Sequence, residues 1–175
     1  MVDNQRRIFT TALVAVALAG PAIADPFERS PRDVGIAVNE RLRSASLDVR
    51  FELERCGGRE LIKCRFSSAH TLLVATGRAK PPWTREIMIV ADLLATDAVG
   101  DVHDRVTEAT AALGATMEII DPELQPERRS KLLSDMARTA LRDGKSEDNG
   151  INAHYSLAFD QGADGLLTIS VVPKR

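Results

Sequence analysis

LDVRFELERCGGRELIKCRF, residues 47–66, holds two candidate strands and both cysteines of the chain, and therefore carries the clearest signals for the fold. Apolar and charged residues alternate over residues 47–54, and apolar and basic residues alternate again over 62–66. Such alternation is typical of strands with one buried face. Gly57 and Gly58 lie between the two runs, and the stretch therefore predicts a β-hairpin.

The two cysteines, Cys56 and Cys64, impose a second condition on this hairpin. A tight turn at the two glycines would pair Phe51 with Cys64 and leave Cys56 on the opposite face, where it cannot form a disulfide. A longer loop that begins near Cys56 and moves the register by two residues would bring the sulfurs together. We expect this loop and a Cys56–Cys64 disulfide; the alternative is a tight hairpin with Cys64 buried and Cys56 exposed.

Residues 1–24 have the three-part layout of a secretory signal peptide. Two arginines precede the apolar run 8–20, and the A-x-A motif 22–24 follows it as a cleavage site. The run is shorter than the ~20 apolar residues of a membrane-spanning helix. We expect cleavage between Ala24 and Asp25 and a periplasmic or secreted bacterial protein; the alternative is an uncleaved membrane anchor.

Export determines how the cysteine pair is interpreted. Nearby cysteines usually pair in an oxidising compartment, and closing so short a loop is worth about 2.5 kcal/mol. Two thiols without an adjacent histidine are too few ligands for a metal site. Their spacing also differs from the C-x-x-C motif of redox-active pairs. The pair is therefore predicted to be a structural cross-link.

Residues 25–175 are predicted to form a single globular domain, since 151 residues are enough for one hydrophobic core. The whole chain has a net charge of −2, and removal of residues 1–24 takes away two arginines and one aspartate, leaving −3. A mildly acidic chain without a basic stripe is a poor ligand for nucleic acid or an anionic membrane. No later segment has the length and hydropathy of a membrane span.

The first half of this domain is predicted to be one helix followed by strands. Ser30 and Pro31 begin the helix as N-cap and first residue, and its apolar stripe runs to about residue 46. The pattern then predicts strands at 47–55, 61–67 and 70–76, a connector at 77–84 and a buried strand at 85–91.

The second half is predicted to contain two amphipathic helices and a hairpin. The first helix ends at Asp121, because a residue before proline disfavours the α region, and the second runs from Pro126 to just before Gly144. The predicted inward-facing residues are Val102, Val106, Ala109, Leu113, Met117 and Ile120, then Leu132, Leu133, Met136, Ala137, Ala140 and Leu141. A polar loop at 145–150 and strands at 151–159 and 166–172 follow.

This order of elements predicts an α+β fold with a signal peptide before it. The domain would run helix, three or four antiparallel strands, two helices and a C-terminal β-hairpin. Strands that are grouped, rather than alternating with helices, favour a mainly antiparallel sheet with the helices packed on one face. The other face is expected to be exposed and polar.

Candidate metal-binding residues are scattered along the chain. His70, His103 and His154 lack the spacing of a metal site. An acidic cluster comprises Asp92, Asp97, Asp101, His103 and Asp104. It could hold a divalent cation, but the pattern of a calcium loop is absent, and acids at a helix start favour the dipole and serve as caps. We therefore assign no metal site.

Catalytic motifs are also missing. Ser67 and Ser68 lie near His70, but no G-x-S-x-G motif surrounds them and proximity along one strand does not make a triad. The chain has no P-loop and no dinucleotide-binding glycine motif. We assign no catalytic residue and no cofactor, and we favour a protein that is not an enzyme.

Trp83 is the remaining candidate for function. It is the only tryptophan and follows two prolines in the predicted connector. A tryptophan on a rigid loop can contact a partner, although it more often covers the edge of the core. We expect a non-catalytic binding or protein-interaction module with a protein or small-molecule partner in the cell envelope. The alternatives are a small secreted hydrolase whose site forms only in the fold and a structural or stress-related envelope protein; the sequence leaves the oligomeric state open.

Overall fold

The computed structural model describes residues 25–93, 99–160 and 165–174, giving only the backbone for 99–101. Within these ranges the elements are α1 (Pro31–Ser44), β1 (Glu52–Gly57), β2 (Ile62–Ser67), β3 (Thr71–Ala79), β4 (Pro82–Asp92), α2 (Val99–Ile120), α3 (Pro126–Asp143), β5 (Lys145–Asn149), β6 (Ala153–Phe159) and β7 (Leu166–Pro173). The strands form one antiparallel sheet in the order β1-β2-β3-β4-β7-β6-β5. The predicted α+β class and the C-terminal hairpin are confirmed. The predicted signal peptide lies outside the described residues.

The helix ends follow the local sequence signals. Ser30 caps α1, since its hydroxyl accepts a hydrogen bond from the Asp33 N–H at 3.3 Å, and a proline is the first residue of both α1 and α3. Gly144 ends α3 in the left-handed conformation with φ 80° and donates its N–H to the Ala140 carbonyl. These starts and stops are confirmed.

The three helices pack on one face of the sheet. α1 packs against β2, β3 and β4, α2 packs against β3 and β4, and α3 packs against β5 and β6. The core between them includes fully buried Val34, Leu42, Leu73, Ile87 and Ile89. The helices therefore cover the sheet at β2, β3 and β4 and again at β5 and β6, and β7 lies between these two parts.

The hairpin of β1 and β2 satisfies both conditions that its sequence imposes. The Cys56–Cys64 disulfide is formed, with the two residues directly opposite each other and their Cα atoms 4.1 Å apart. Cys64 pairs with Cys56, which lies five residues after Phe51, whereas the expected register would pair it with the residue two positions after Phe51. The expected register was therefore wrong. A register shift by an odd number of residues would turn the inward side chains of β1 to the other face of the sheet. A bulge between Leu53 and Arg55 adds one residue and so returns Leu53 and the residues before it to the expected face.

Residues 47–51 differ from the predicted strand. Phe51 is buried, and both its N–H and its carbonyl bond to the side-chain amide of Asn39 on α1 at 2.8 Å. The side chain of Asn39 takes the place of a neighbouring strand, so this segment follows α1 and β1 begins only at Glu52.

Two predicted loops are strands instead. The connector at 77–84 was wrong, because Gly77 pairs with Thr84 and Ala79 with Pro82 across a tight β3–β4 turn. The polar loop at 145–150 was wrong too, because β5 forms the sheet edge beside β6. All five residues of β5 are polar, which removes the alternation that predicts strands but suits an exposed edge.

The face of the sheet away from the helices is mixed rather than polar. Leu72, Met88 and Val90 are half-buried at its centre, where Val74 is buried. Polar residues surround this centre, and the Ser170 hydroxyl donates to the Glu86 carboxylate at 3.0 Å. The predicted polar character of this face is therefore correct for its surroundings and wrong for its apolar centre.

Candidate apolar cleft between two helices

The apolar stripe of α3 divides into two rows. One row, Leu132, Met136 and Ala140, is buried as predicted. The second row, Leu133, Ala137 and Leu141, lies one position further around the helix and lines a cleft. Leu141 is 65 % exposed and Ala137 is exposed too, so the predicted burial of both was wrong, and Leu133 is half-buried. The apolar stripe of α3 is therefore wider than the part of the helix surface that packs on the sheet.

Helix α2 forms the opposite wall of this cleft. Leu113 is buried at its base, while Val106 and Thr110 line it from the side. Val106 is 39 % exposed, which corrects its predicted burial, and Val102 is half-buried. The inward prediction holds for the other four residues of the stripe, Ala109, Leu113, Met117 and Ile120.

Strand residues form the floor of the cleft. They are Leu157 and Phe159 of β6, Leu167 and Ile169 of β7, and Leu93 directly after β4. The cleft has a volume of about 410 Å³, within the range of ~300–1,000 Å³ for small-molecule sites. Walls on two sides and a sheet beneath make it a concave, mainly apolar site.

The cleft also has polar residues among its apolar ones. The other residues of α3 that line it are Ala140 and two serines, Ser130 and Ser134, which lie near the turn that joins α2 to α3. Leu141 lies at the other end of α3, next to Gly144, whose carbonyl accepts the Phe159 N–H at 2.8 Å. None of the described lining residues carries a charge.

Small side chains form part of both walls of the cleft. Thr110, Ser130, Ser134 and Ala137 face the gap between larger apolar residues. Ala137 and Leu141 are exposed, so the cleft is an open groove at the surface rather than a cavity in the core.

A buried polar network closes the end of the fold where α2 ends. The carboxylate of Asp121, which is fully buried, accepts hydrogen bonds from the Tyr155 hydroxyl and the Asn152 N–H, both at 2.5 Å. Burial, followed by the hydrogen bond to Asp121, raises the pKa of Tyr155 well above its ordinary value. A Cβ at Gly150 would lie 1.9 Å from the Asp121 carboxylate, so glycine is required there.

Trp83 lies away from the cleft. It is half-buried in β4 opposite Arg78 and packs against the hydrophobic core. The next residue, Thr84, donates its N–H to the Phe27 carbonyl at 2.8 Å, which ties the start of the domain to this strand. The position agrees with a residue that covers the core edge; a partner contact of Trp83 stays a prediction.

The serine and histidine near the β2–β3 turn do not form a Ser–His pair. The Ser68 hydroxyl bonds to the carboxylate of Glu108 on α2 and to the Thr71 carbonyl. The backbone N–H of His70 donates to the same carboxylate at 3.3 Å. Glu108 is buried and connects the turn to α2, a role that the sequence reading missed.

The candidate metal residues do not converge where the structure describes them. His103 and Asp104 are exposed on α2, and the His154 ring lies 3.7 Å from the Glu147 carboxylate on the sheet edge. Asp97 and the side chain of Asp101 lie outside the described residues. Within the described ranges, no three histidine, cysteine, aspartate or glutamate side chains group as metal ligands.

Comparisons with known proteins add no identification. No family model, curated protein or solved structure matches the chain. Among the helices in the described residues, none combines the length and hydropathy needed to cross a membrane.

Proposed function

We propose that this chain is a non-catalytic binding module that holds a small apolar ligand in the cleft between α2 and α3. The observation that carries the proposal is the cleft of about 410 Å³ with apolar walls and floor. Its lining exposes apolar side chains such as Val106 and Leu141 to water, and an apolar ligand would cover them. Burial of a hydrocarbon group there would remove both the ligand and the cleft walls from solvent.

The lining favours binding over catalysis. Its polar groups in the described residues are three hydroxyls, with no carboxylate, imidazole, amine or thiol to act as base or nucleophile. Each buried methylene contributes about 0.8 kcal/mol, so a chain of roughly ten methylenes has enough apolar surface for micromolar affinity after ordering costs.

A fluorescence titration tests the proposal. The neutral probe N-phenyl-1-naphthylamine becomes brighter in apolar surroundings, and we expect it to bind the protein at one saturable site. Ala137→Phe places a ring in the cleft and should weaken binding at least tenfold. Arg138→Phe is the matched control, because Arg138 is the next residue of α3 but its side chain is 76 % exposed and outside the cleft.

The two variants separate the cleft from the rest of the surface. Equal probe binding by wild type, Ala137→Phe and Arg138→Phe would contradict the proposal, as would absence of saturable binding to wild type. Trp83→Ala should leave the probe affinity unchanged, since Trp83 does not line the cleft. Loss of probe binding in Trp83→Ala, with the fold intact by circular dichroism, would move the site to Trp83.

The place of action is proposed to be the periplasm or the medium after removal of residues 1–24. The Cys56–Cys64 disulfide supports this, because such bonds persist in oxidising compartments. Intact mass and N-terminal sequencing of the exported protein should give Asp25 first; a cytoplasmic protein that retains residues 1–24 would overturn the proposal.

A further inference from the structure

The strand β1 is an open edge of the sheet. In the part of the chain that the structure describes it is the first strand in the sheet order and pairs with β2 alone. An edge strand presents backbone N–H and C=O groups to which another strand can bond. Helix α1 packs against β2, β3 and β4, and all six residues of β1 are exposed. A strand that approaches along β1 would therefore extend the sheet.

Exposed apolar side chains gather at the same edge. Leu53 lies on β1, and Leu61 lies in the turn between β1 and β2. Ile36 of α1 and Leu47, three residues after that helix, line one shallow hollow of about 310 Å³. Outside the cleft, Ile151 is the one other large apolar residue of the described ranges that is exposed. A partner that covers the β1 edge would remove nearly all of this apolar surface from water.

The bulge gives β1 the same order of faces from either end. Leu53 and Cys56 pair with buried residues of β2, so they point to the helix side of the sheet. Glu54 is the additional residue of the bulge, and both Glu54 and Arg55 lie opposite Arg65 and point to the other side. The two end positions of the strand also face that other side. The sequence of faces along the six residues is therefore the same in both directions.

This symmetry permits an antiparallel pairing of β1 with a second β1. Residues that lie opposite each other in a sheet must point to the same face. The pairing that uses all six residues has its twofold axis between Glu54 and Arg55, and in a strand without a bulge it would oppose residues of different faces. In β1 it places Glu54 opposite Arg55 of the second copy, and Leu53 opposite Cys56, on both sides of the axis. Opposite charges and apolar groups meet their complements.

The same register brings the apolar residue of the turn to the hollow beside α1. Continued beyond β1, it places residues 58–61 of one copy beside residues 48–51 of the other. Residues 47–50 form one wall of the hollow that Ile36 and Leu47 line. Leu61 of each copy therefore lies at the hollow of the other, and all four exposed apolar residues of this edge are covered together.

We propose that the protein forms a twofold symmetric dimer in which β1 pairs antiparallel with β1 of a second copy. The pairing joins the two seven-stranded sheets into one. Glu54 and Arg55 fix the register, and Leu61 fills the hollow of the other copy. Six residues on each side make a small interface, so the dimer dissociates in the micromolar range. The dimer goes beyond the proposed function, since none of these residues lines the cleft.

Sedimentation velocity of the exported, disulfide-bonded protein tests the dimer. We expect dimer at about 200 µM and monomer at about 1 µM. Leu61→Asp should weaken the dimer at least about tenfold, because it places a charge in the hollow. Ile151→Asp is the matched control: Leu61 is 41 % exposed and Ile151 40 %, but Ile151 lies between β5 and β6. A wild-type protein that stays monomeric at about 200 µM, or equal effects of the two changes, would overturn the proposal.

Charge reversals test the register. Glu54→Arg and Arg55→Glu each place like charges opposite one another across the axis and should weaken self-association at least about tenfold. Mixed in equal amounts, the two variants should form a mixed dimer about as tight as wild type, because opposite charges then face each other again. Glu147→Arg and Lys145→Glu are the matched controls on β5, the other edge, and should leave the dimer unchanged. A mixture no tighter than either variant alone, or weakening by the β5 changes, would contradict the β1 pairing.

Discussion

Two halves of one sheet face are covered by helices with different results. In the closed half, α1 lies over β2, β3 and β4, and Val34, Leu73 and Ile89 have no exposed surface. In the cleft half, α3 lies over β5 and β6, and Leu133 and Phe159 remain half-exposed around a space of about 410 Å³. Both halves have amphipathic helices on an antiparallel sheet, so the pattern alone does not account for the difference.

The size of the side chains between the helices accounts for it. In the closed half the Phe66 ring packs directly against Gly35 of α1, where an added Cβ would lie 2.3 Å from the ring. In the cleft half threonine, serine and alanine lie between larger apolar residues on the two helices, and a groove stays open along the surface. The same patterning therefore gives a close-packed core where a phenylalanine ring meets glycine, and an open groove where small residues lie on two facing helices.

Truncation of one leucine in each half gives the largest expected contrast. Leu73→Ala removes a fully buried side chain in the closed half and should lower the free energy of unfolding by about 2–5 kcal/mol. Leu133→Ala removes a half-exposed one and should cost about 1 kcal/mol. Urea denaturation of both variants measures the difference. Equal losses would mean that the cleft half is packed as tightly as the closed half.

The disulfide should affect stability without affecting the cleft. Reduction of Cys56–Cys64, or replacement of both cysteines by alanine, should lower the free energy of unfolding by about 2.5 kcal/mol. The disulfide holds edge strand β1 against β2 in the closed half, and neither cysteine lines the cleft. Urea denaturation with and without reductant gives the first value, and probe titration of the reduced protein should give an unchanged affinity. A weaker probe affinity after reduction would show that the disulfide beside the closed half influences binding in the cleft half.

High pH should act through Tyr155, which is the only tyrosine. Burial and the Asp121 hydrogen bond raise the pKa of Tyr155 above the ordinary ~10, so above that pH the unfolded chain loses a proton that the folded chain keeps. Stability from this group is complete below pH ~10 and then falls by up to about 1.4 kcal/mol per pH unit.

Absorbance of the phenolate follows this titration directly. We expect no phenolate signal while the protein is folded. In Tyr155→Phe the free energy of unfolding should fall less steeply with pH, and any fall that remains comes from other groups that titrate in this range, such as the lysines. A phenolate signal near pH 10 from protein that is still folded would show that Tyr155 is accessible and that this end of the cleft half is open.

Filling the cleft should give the smallest effect on stability. Ala137→Leu adds apolar surface to a space that already exists, so we expect a gain of about 0.5–1 kcal/mol in the absence of ligand and weaker probe binding. Arg138→Leu is the matched control at the exposed neighbouring position. A loss of stability in Ala137→Leu alone would mean that the space is too small for one added side chain.

Local signals made much of the fold predictable. Pro126 and Gly144 marked the ends of α3, and the compartment expected from residues 1–24 favoured the disulfide that is formed. The register of that hairpin was not predictable, because a bulge changes the phase of a strand without changing its composition. The polar β5 was missed because an edge strand exposed on both faces has no alternation.

The cleft could not be derived from the sequence, although part of its signal was visible. Periodicity showed that six residues of α3 share one side of the helix, more than one sheet surface can bury. It could not show how far α2 would lie from that side, since the distance depends on contacts between residues far apart in the chain. Small residues on both helices, Thr110 on α2 and Ser134 and Ala137 on α3, line the cleft, and only the tertiary structure shows that they face each other.

Nuclear Overhauser contacts between bound N-phenyl-1-naphthylamine and the methyl groups of the protein would locate the binding site. If the ligand lies in the cleft, the probe contacts Val106, Leu133 and Leu141, and no methyl on the opposite face of the sheet. Contacts to Leu72, Val74 and Val90 instead would place the ligand on that opposite face. That result would contradict the account of the cleft as the binding site.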